Sequence, residues 1–333
     1  MTHARQLPIN QKHMKKLLLY SSICCLVTAS GLTVNAETLS LVKQQAKTQI
    51  AAATAQPQVE LLEVGNEPRQ ELRFRPQVNA KQTSTMTMNM DIEMSVAGRA
   101  APKFALPATV ITMDTLVTQI DANGDIHYKF SYSNVNVANA ATLPPQTLEA
   151  TRSQLKKMMG MGGSVIVDNR GYTKSAQLVI PKGLDPSMKQ VTEQLSGSLD
   201  QISSPVPKEP IGIGAKWRVI TFPQLRGAKV AQTATYQLVN LKNGIATFNV
   251  WVKQRVNDRA LLNRPGMPNG NKMTLKSLDS QGEGQMMAAL NQVIPIRSNL
   301  MMHSYSQLVI QQAGQAEANI DAKMTMKLNI QSK

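Results

Sequence analysis

The stretch Met86-Thr-Met-Asn-Met-Asp-Ile-Glu-Met-Ser-Val96 decides the fold class. Met86, Met88, Met90, Ile92, Met94 and Val96 alternate with Thr87, Asn89, Asp91, Glu93 and Ser95. Successive side chains of an extended chain point to opposite faces, so this is a long strand with one apolar face and one polar face. The end of the chain repeats the pattern with Met324, Met326, Leu328 and Ile330. Strands over 84–96 and 321–331 are predicted to pair. That pairing joins the ends of the domain and keeps a late strand from being an exposed edge.

Working outward, Glu71-Leu-Arg-Phe-Arg75 is predicted as a further strand. Residues 109–120 and 126–137 flank Asp121-Ala-Asn-Gly-Asp125, a hairpin signal, and Asn243-Gly244 sits between strands over 230–241 and 245–256. A hairpin is also predicted around Asn169-Arg170-Gly171, and separate strands over 273–278, 284–290 and 299–310. Two amphipathic helices interrupt the β pattern. One, near 146–159, opens on Pro144-Pro145, carries Leu148, Leu155 and Met158, and ends at Gly160. The other, over 186–203, places Met188, Val191, Leu195, Leu199 and Ile202 at steps of three and four. The expected fold class is α+β and β-rich: curved antiparallel sheet or half-barrel, with both helices packed on the apolar face.

Before the β region, Arg5, Lys12, Lys15 and Lys16 precede an apolar stretch beginning at Leu17, followed by Val34-Asn35-Ala36. Basic, apolar, then small is the order of a secretory signal, and cleavage is expected after Ala36. Met14 is an alternative start, and an uncleaved anchor is the competing reading. Residues 37–68 read as a helix-prone arm and linker, and 69–333 as the β-rich domain. Both cysteines, Cys24 and Cys25, leave with the signal, so no disulfide is expected. Its four basic residues leave too, and the formal charge falls from +15 to +11. That sign suits anionic partners such as lipid headgroups. The cations are scattered, however, and a merely solubilising surface explains them equally well. Only five Phe, six Tyr and two Trp occur, which disfavours a stacking platform for nucleic acid.

The chemistry-bearing motifs are few. His127 and His303 remain in the mature chain, each among polar strand residues, where a solvated role is the simpler explanation. No GxSxG, HExxH or phosphate loop occurs. Asp121, Asn123 and Asp125 hint at calcium, but Tyr132 stands where an EF-hand needs glutamate. No catalytic residue, metal or cofactor is therefore expected, and no enzyme activity.

The nineteen methionines carry more information. Met158, Met159, Met188, Met286, Met287, Met301 and Met302 join the strand methionines as expected inward-facing groups. They are either ordinary core, an adaptable apolar surface for a greasy ligand, or thioether donors for copper(I). The candidate ligand-binding residues are Met86, Met88, Met90, Met94, Met324 and Met326.

Four elements together carry a resemblance. They are Glu71–Arg75 before the Met-rich strand, Val165-Ile-Val-Asp-Asn-Arg-Gly171, Pro205-Val-Pro-Lys-Glu-Pro-Ile-Gly-Ile-Gly-Ala-Lys-Trp217, and Gly282-Glu-Gly284. With them the chain resembles a family of exported bacterial β-rich proteins of unknown function. At the level of fold it is also similar to half-barrel lipoprotein-carrier proteins, which implies acyl chains held between sheet and helices. The expectation is a periplasmic or outer-envelope protein, non-enzymatic, binding a lipid or other hydrophobic ligand in a Met-lined concavity, with possible membrane-surface contact. The alternative is a structural or assembly protein acting through envelope partners. A hydrolase of unrecognised type would require His127 or His303 buried beside a carboxylate.

Overall fold

The computed structural model describes residues 57–138, 145–179, 205–225, 227–256, 258–262, 271–312 and 316–333. The chain begins at one edge of a large sheet with β1 (Gln58–Glu63), crosses it, and enters its middle as β2 (Lys81–Val96). A short return, β3 (Arg99–Ala100), pairs with β2. The chain then meanders to the far edge through β4 (Phe104–Ile120), β5 (Ile126–Ala138), helix α1 (Pro145–Lys156), β6 (Gly162–Val167) and β7 (Thr173–Val179). It returns to the first edge at β8 (Lys216–Thr221), beside β1.

A small hairpin, β9 (Gln224–Leu225) with β10 (Ala228–Lys229), follows. A second meander comes back to the centre through β11 (Ala231–Lys242), β12 (Ile245–Val256), the short β13 (Ala260–Leu261), β14 (Lys272–Ala289), β15 (Arg297–Gln311) and β16 (Ala318–Ser332). The result is an open 14-stranded antiparallel sheet of order β1-β8-β11-β12-β14-β15-β16-β2-β4-β5-β6-β7, with β13 and β3 flanking β14 and β2.

The predicted pairing of the two alternating strands is the central seam. It runs without a break from Ile320↔Val96 to Ser332↔Ser84. Register then carries one apolar row across six strands: Val252, Gly282, Met302, Met326, Met90 and Leu106 stand opposite one another in turn. The other face carries Thr87, Asn89, Asp91 and Glu93 beside Lys323, Thr325, Lys327 and Asn329. Apolar inside and polar outside is the reverse of a membrane barrel.

The sheet curls strongly. Met286 and Ala288 on β14 share one cavity of about 50 Å³ with Ile126 and Tyr128 on β5. Five strand steps separate β14 from β5. At about 4.8 Å per step a flat sheet would hold them roughly 24 Å apart. Irregularities at Met88/Met90, Thr112/Met113, Val117/Gln119, Leu238/Asn240 and Leu275/Ser277 bend the strands and add twist, as β-bulges do.

The two crossings, over 64–80 and 205–215, plug one end of the concave face. They pair with each other through Gln70 N–H to Ile211 O at 3.0 Å, the reciprocal Ile211 N–H to Gln70 O at 3.0 Å, and Asn66 N–H to Ile213 O at 2.8 Å. Leu72, Val206, Ile211 and Ala215 are buried with Trp217, Tyr236 and Phe248. Trp217 stacks on Tyr236 at 5.5 Å, meets Phe248 edge-on at 5.6 Å, and donates its indole N–H to the Pro205 carbonyl at 3.1 Å. The Pro205–Trp217 motif is therefore a structural closure.

Several expectations are corrected. The α+β architecture with two amphipathic helices on the apolar face is overturned: the protein is β-dominated, with one helix among the described residues. Helix α1 packs on β5 through Leu155 and the following Met158, and the concave face is covered instead by non-helical crossings. The expected helix over 186–203 lies outside the described residues. Residues 71–75 are not a strand, because their backbone bonds run to loop carbonyls: Phe74 N–H to Asn169 O and Arg75 N–H to Leu290 O, both 2.6 Å. The sheet already includes Gln58–Glu63, within the expected linker. The signal segment and the arm through residue 56 lie outside the described residues. Lys272–Ala289 forms one strand through Gly282 and Gly284 rather than two.

Gly212 has no room for a side chain, since a Cβ there would overlap the Asn66 carbonyl oxygen of the other crossing. Gly212→Ala is expected to lower stability by about 1–3 kcal/mol, the usual range for overpacking, read as a lower unfolding midpoint in urea.

Candidate functional site

The concave face is the candidate site. Its floor is built by the inward positions of β12, β14, β15, β16 and β2. Val250, Met286, Leu300, Met324 and Leu328 are half-buried there and pack around the main core. A polar belt crosses the same face. Gln254 donates to Gln232 at 2.6 Å, and Gln232 donates to Thr221 at 3.2 Å. Register continues the belt through Ser280, opposite Gln254, and Ser304, opposite Ser280. The belt separates the main apolar cluster from a second one containing Val256, Met273, Leu275, Ile310 and Ile320.

The six candidate methionines do not converge on one point. Met88, Met90 and Met326 are 4%, 5% and 8% exposed and belong to the packed core. Met324 is half-buried beside them. Met86 lies against the cluster under helix α1, and Met94 against the second cluster. Met88, Met90, Met326 and Met324 thus share one cluster while Met86 and Met94 belong to two others, so the six do not form a single ligand set. Met159, Met287 and Met301 are at the surface, correcting the expectation that they face inward. Met188 lies outside the described residues. Sequence reasoning missed the polar belt, since glutamine and serine in a strand look like solvent-facing residues until the register is known.

His127 does lie near a carboxylate, with Nε2 3.6 Å from an Asp121 oxygen. Asp121, however, is occupied as a turn closer. One of its oxygens accepts the N–H groups of Asn123 at 2.9 Å and Asp125 at 3.0 Å. The Asp125 amide foremost, with that of Asn123 and the His127 ring, holds the Asp121 carboxyl below the usual carboxylate range. Asp125 is buried and takes Lys174 Nζ at 2.6 Å, which holds that ammonium above its usual range. His303 stands on the outer face, its Nδ1 3.2 Å from Thr325 Oγ1. No group of three or more His, Cys, Asp or Glu among the described residues is disposed to hold a metal. Among the described residues, several cations near the sheet's strands are paired rather than gathered into a rim. Lys216, Arg218, Arg255 and Lys103 each pair with a carboxylate: Glu63, Glu60, Asp279 and Glu93.

No protein family and no curated protein matches the chain. Among solved structures, the crystal structure of the outer membrane protease OmpT from Escherichia coli matches with a TM-score of 0.21 and 10% identity, over 79% of this chain and 99% of that one. Likeness of that degree carries no argument about fold or chemistry. The resemblance to an exported family thus stands on its quoted motifs alone. Of these, the Pro205–Trp217 stretch has the structural explanation given above.

Two outcomes are expected. Met90→Ala or Met326→Ala removes a packed core side chain and lowers stability by about 2–5 kcal/mol, whereas Met324→Ala, half-buried, lowers it less; chemical denaturation compares them. Asp121, with its depressed native value, stabilises the fold fully above the ordinary carboxylate value of about 3.9 and loses that contribution as pH falls through the native value. The urea midpoint of Asp121→Ala should therefore lie below that of the parent at neutral pH and converge with it in acid.

Proposed function

We propose that this is an exported, non-enzymatic envelope protein that binds an amphiphile along the concave face of its open sheet. The observation carrying the reading is the half-buried floor of Val250, Met286, Leu300, Met324 and Leu328 inside a curled sheet. Ordinary sheet cores seal such a face against a second layer. An apolar chain would lie on this floor. The polar part of the ligand would meet the belt of Thr221, Gln232, Gln254, Ser280 and Ser304. The cavity of about 50 Å³ under the curl is too small for a lipid, as ligand pockets run to about 300–1,000 Å³, so the ligand would occupy the open part of the concavity. Flexible thioethers suit ligands of varied chain shape.

A second reading, assembly through a partner strand, is favoured by β7. Among the described residues β6 is its one neighbour in the sheet, and it ends at Val179, 60% exposed. Unpaired strand edges are templates for added strands.

Native mass spectrometry of protein isolated from the envelope without detergent tests the first reading, together with titration by a fluorescent fatty-acid analogue. A bound amphiphile is expected, and Leu328→Glu should abolish analogue binding while circular dichroism stays unchanged. A ligand-free spectrum combined with no analogue binding by the parent protein would sink the idea.

A further inference from the structure

The outer face carries a feature that an amphiphile in the concavity does not use. The chain has two tryptophans. Trp217 is 1% exposed in the core, whereas Trp251 is 38% exposed in the middle of the outer face. Register places Trp251, Glu283, Met301 and Lys327 in one row across β12, β14, β15 and β16. The next row is Asn249, Gln285, Asn299 and Asn329. Together they line a trough of about 460 Å³. The face continues along the strands into a second hollow of about 520 Å³, which contains Gln281, His303, Tyr305 and Lys323. Tyr305 is 40% exposed, and its hydroxyl donates to Asp321 at 2.9 Å, which fixes the ring on the sheet.

The lining selects among ligand classes. Four amides in one row offer donors and acceptors together. Three are pre-set by two bonds: Gln285 Nε2 donates to Asn249 Oδ1 at 3.1 Å, and Asn299 Oδ1 accepts the Gln285 backbone N–H at 2.9 Å. An acyl chain would cover the donors and acceptors that these amides do not spend on one another, at a penalty for each left unmade. A phosphate-rich polymer needs a cationic track, but Glu283 balances Lys327, and Asp91, Glu93 and Asp279 outnumber Lys103 and Lys323 in the second hollow. The trough is thus near-neutral on a basic protein. A pyranose ring has an apolar C–H face for the electron-rich indole and a rim of hydroxyls for amides and a carboxylate. Trp251 and Tyr305 are two strands and four residues apart, roughly 17 Å by strand geometry, so the aromatic surfaces span a chain of sugars rather than one ring.

We propose that the outer face of β12, β14, β15 and β16 binds a neutral oligosaccharide, with Trp251 as the stacking platform and Asn249, Gln285, Asn299 and Asn329 reading its hydroxyl or acetamido groups.

The test uses intrinsic fluorescence of the mature protein, because acrylamide reaches exposed Trp251 and not buried Trp217. Chitotetraose and cellotetraose are titrated separately, the first carrying acetamido groups and the second only hydroxyls. At least one should protect Trp251 from quenching. Trp251→Ala should weaken binding, measured by calorimetry, by about tenfold or more, as truncation of an aromatic anchor does. Leu328→Glu, on the opposite face, should leave sugar binding intact, which separates this site from the concave one. Absence of protection by both tetrasaccharides, or affinity unchanged in a folded Trp251→Ala variant, would overturn the assignment.

Discussion

The ladder between β2 and β16 is the constraint on which the rest of the molecule depends. Each of the two meanders, β2 to β7 and β8 to β16, is a half-sheet with one apolar face. Joined in register from Val96 to Ser84 they become one surface that can curl. A slip of one residue would turn every methionine of β2 to the solvent face, because side chains alternate with period two. The apolar row from Val252 to Leu106 crosses that ladder at Met326 and Met90, and the outer row from Trp251 ends at Lys327 on its β16 strand.

A curled sheet still needs its concave face covered, and the chain achieves this with its own connections. The two crossings pass over the inside, pair with each other, and bring Leu72, Val206 and Ile211 onto the floor. Arg73 ties them by donating to the Pro207 and Lys208 carbonyls, at 3.2 and 2.7 Å. The packing is dense at that end and sparser along β14–β16, where apolar residues stay half-buried. The two faces of the same strands therefore differ in chemistry: apolar with a thin polar belt inside, amide-rich with isolated aromatics outside.

Much of the fold was legible beforehand. Strict alternation in 86–96 and 324–330 identified the seam, and Asn243-Gly244 identified a tight hairpin, with Asn243 at φ 52° and Gly244 at 71°. Legibility failed where tertiary contact outweighs local pattern. Glu71–Arg75 alternates like a strand but is pinned as a plug, because its backbone partners are loop carbonyls remote in sequence. A gap is expected between strands over 273–278 and 284–290, yet β14 runs through it, with Gly282 facing Met302 across the ladder. The candidate site was legible only in part. The alternating methionines of β2 and β16 share the inner face, whereas Met159, Met287 and Met301 are exposed, and which inner ones are sealed depends on what lies across from each.

What the sequence by itself determined is the set of long two-faced strands and their turns. Those properties follow from period-two patterning and local turn chemistry, which act over a few residues. Only the tertiary structure decided that the sheet stays open, that crossings rather than helices cover it, and that a glutamine belt lies within and a tryptophan trough without. Each of these arises from register summed across many strands and from bulges that bend them, and neither quantity is carried by any single stretch of the chain.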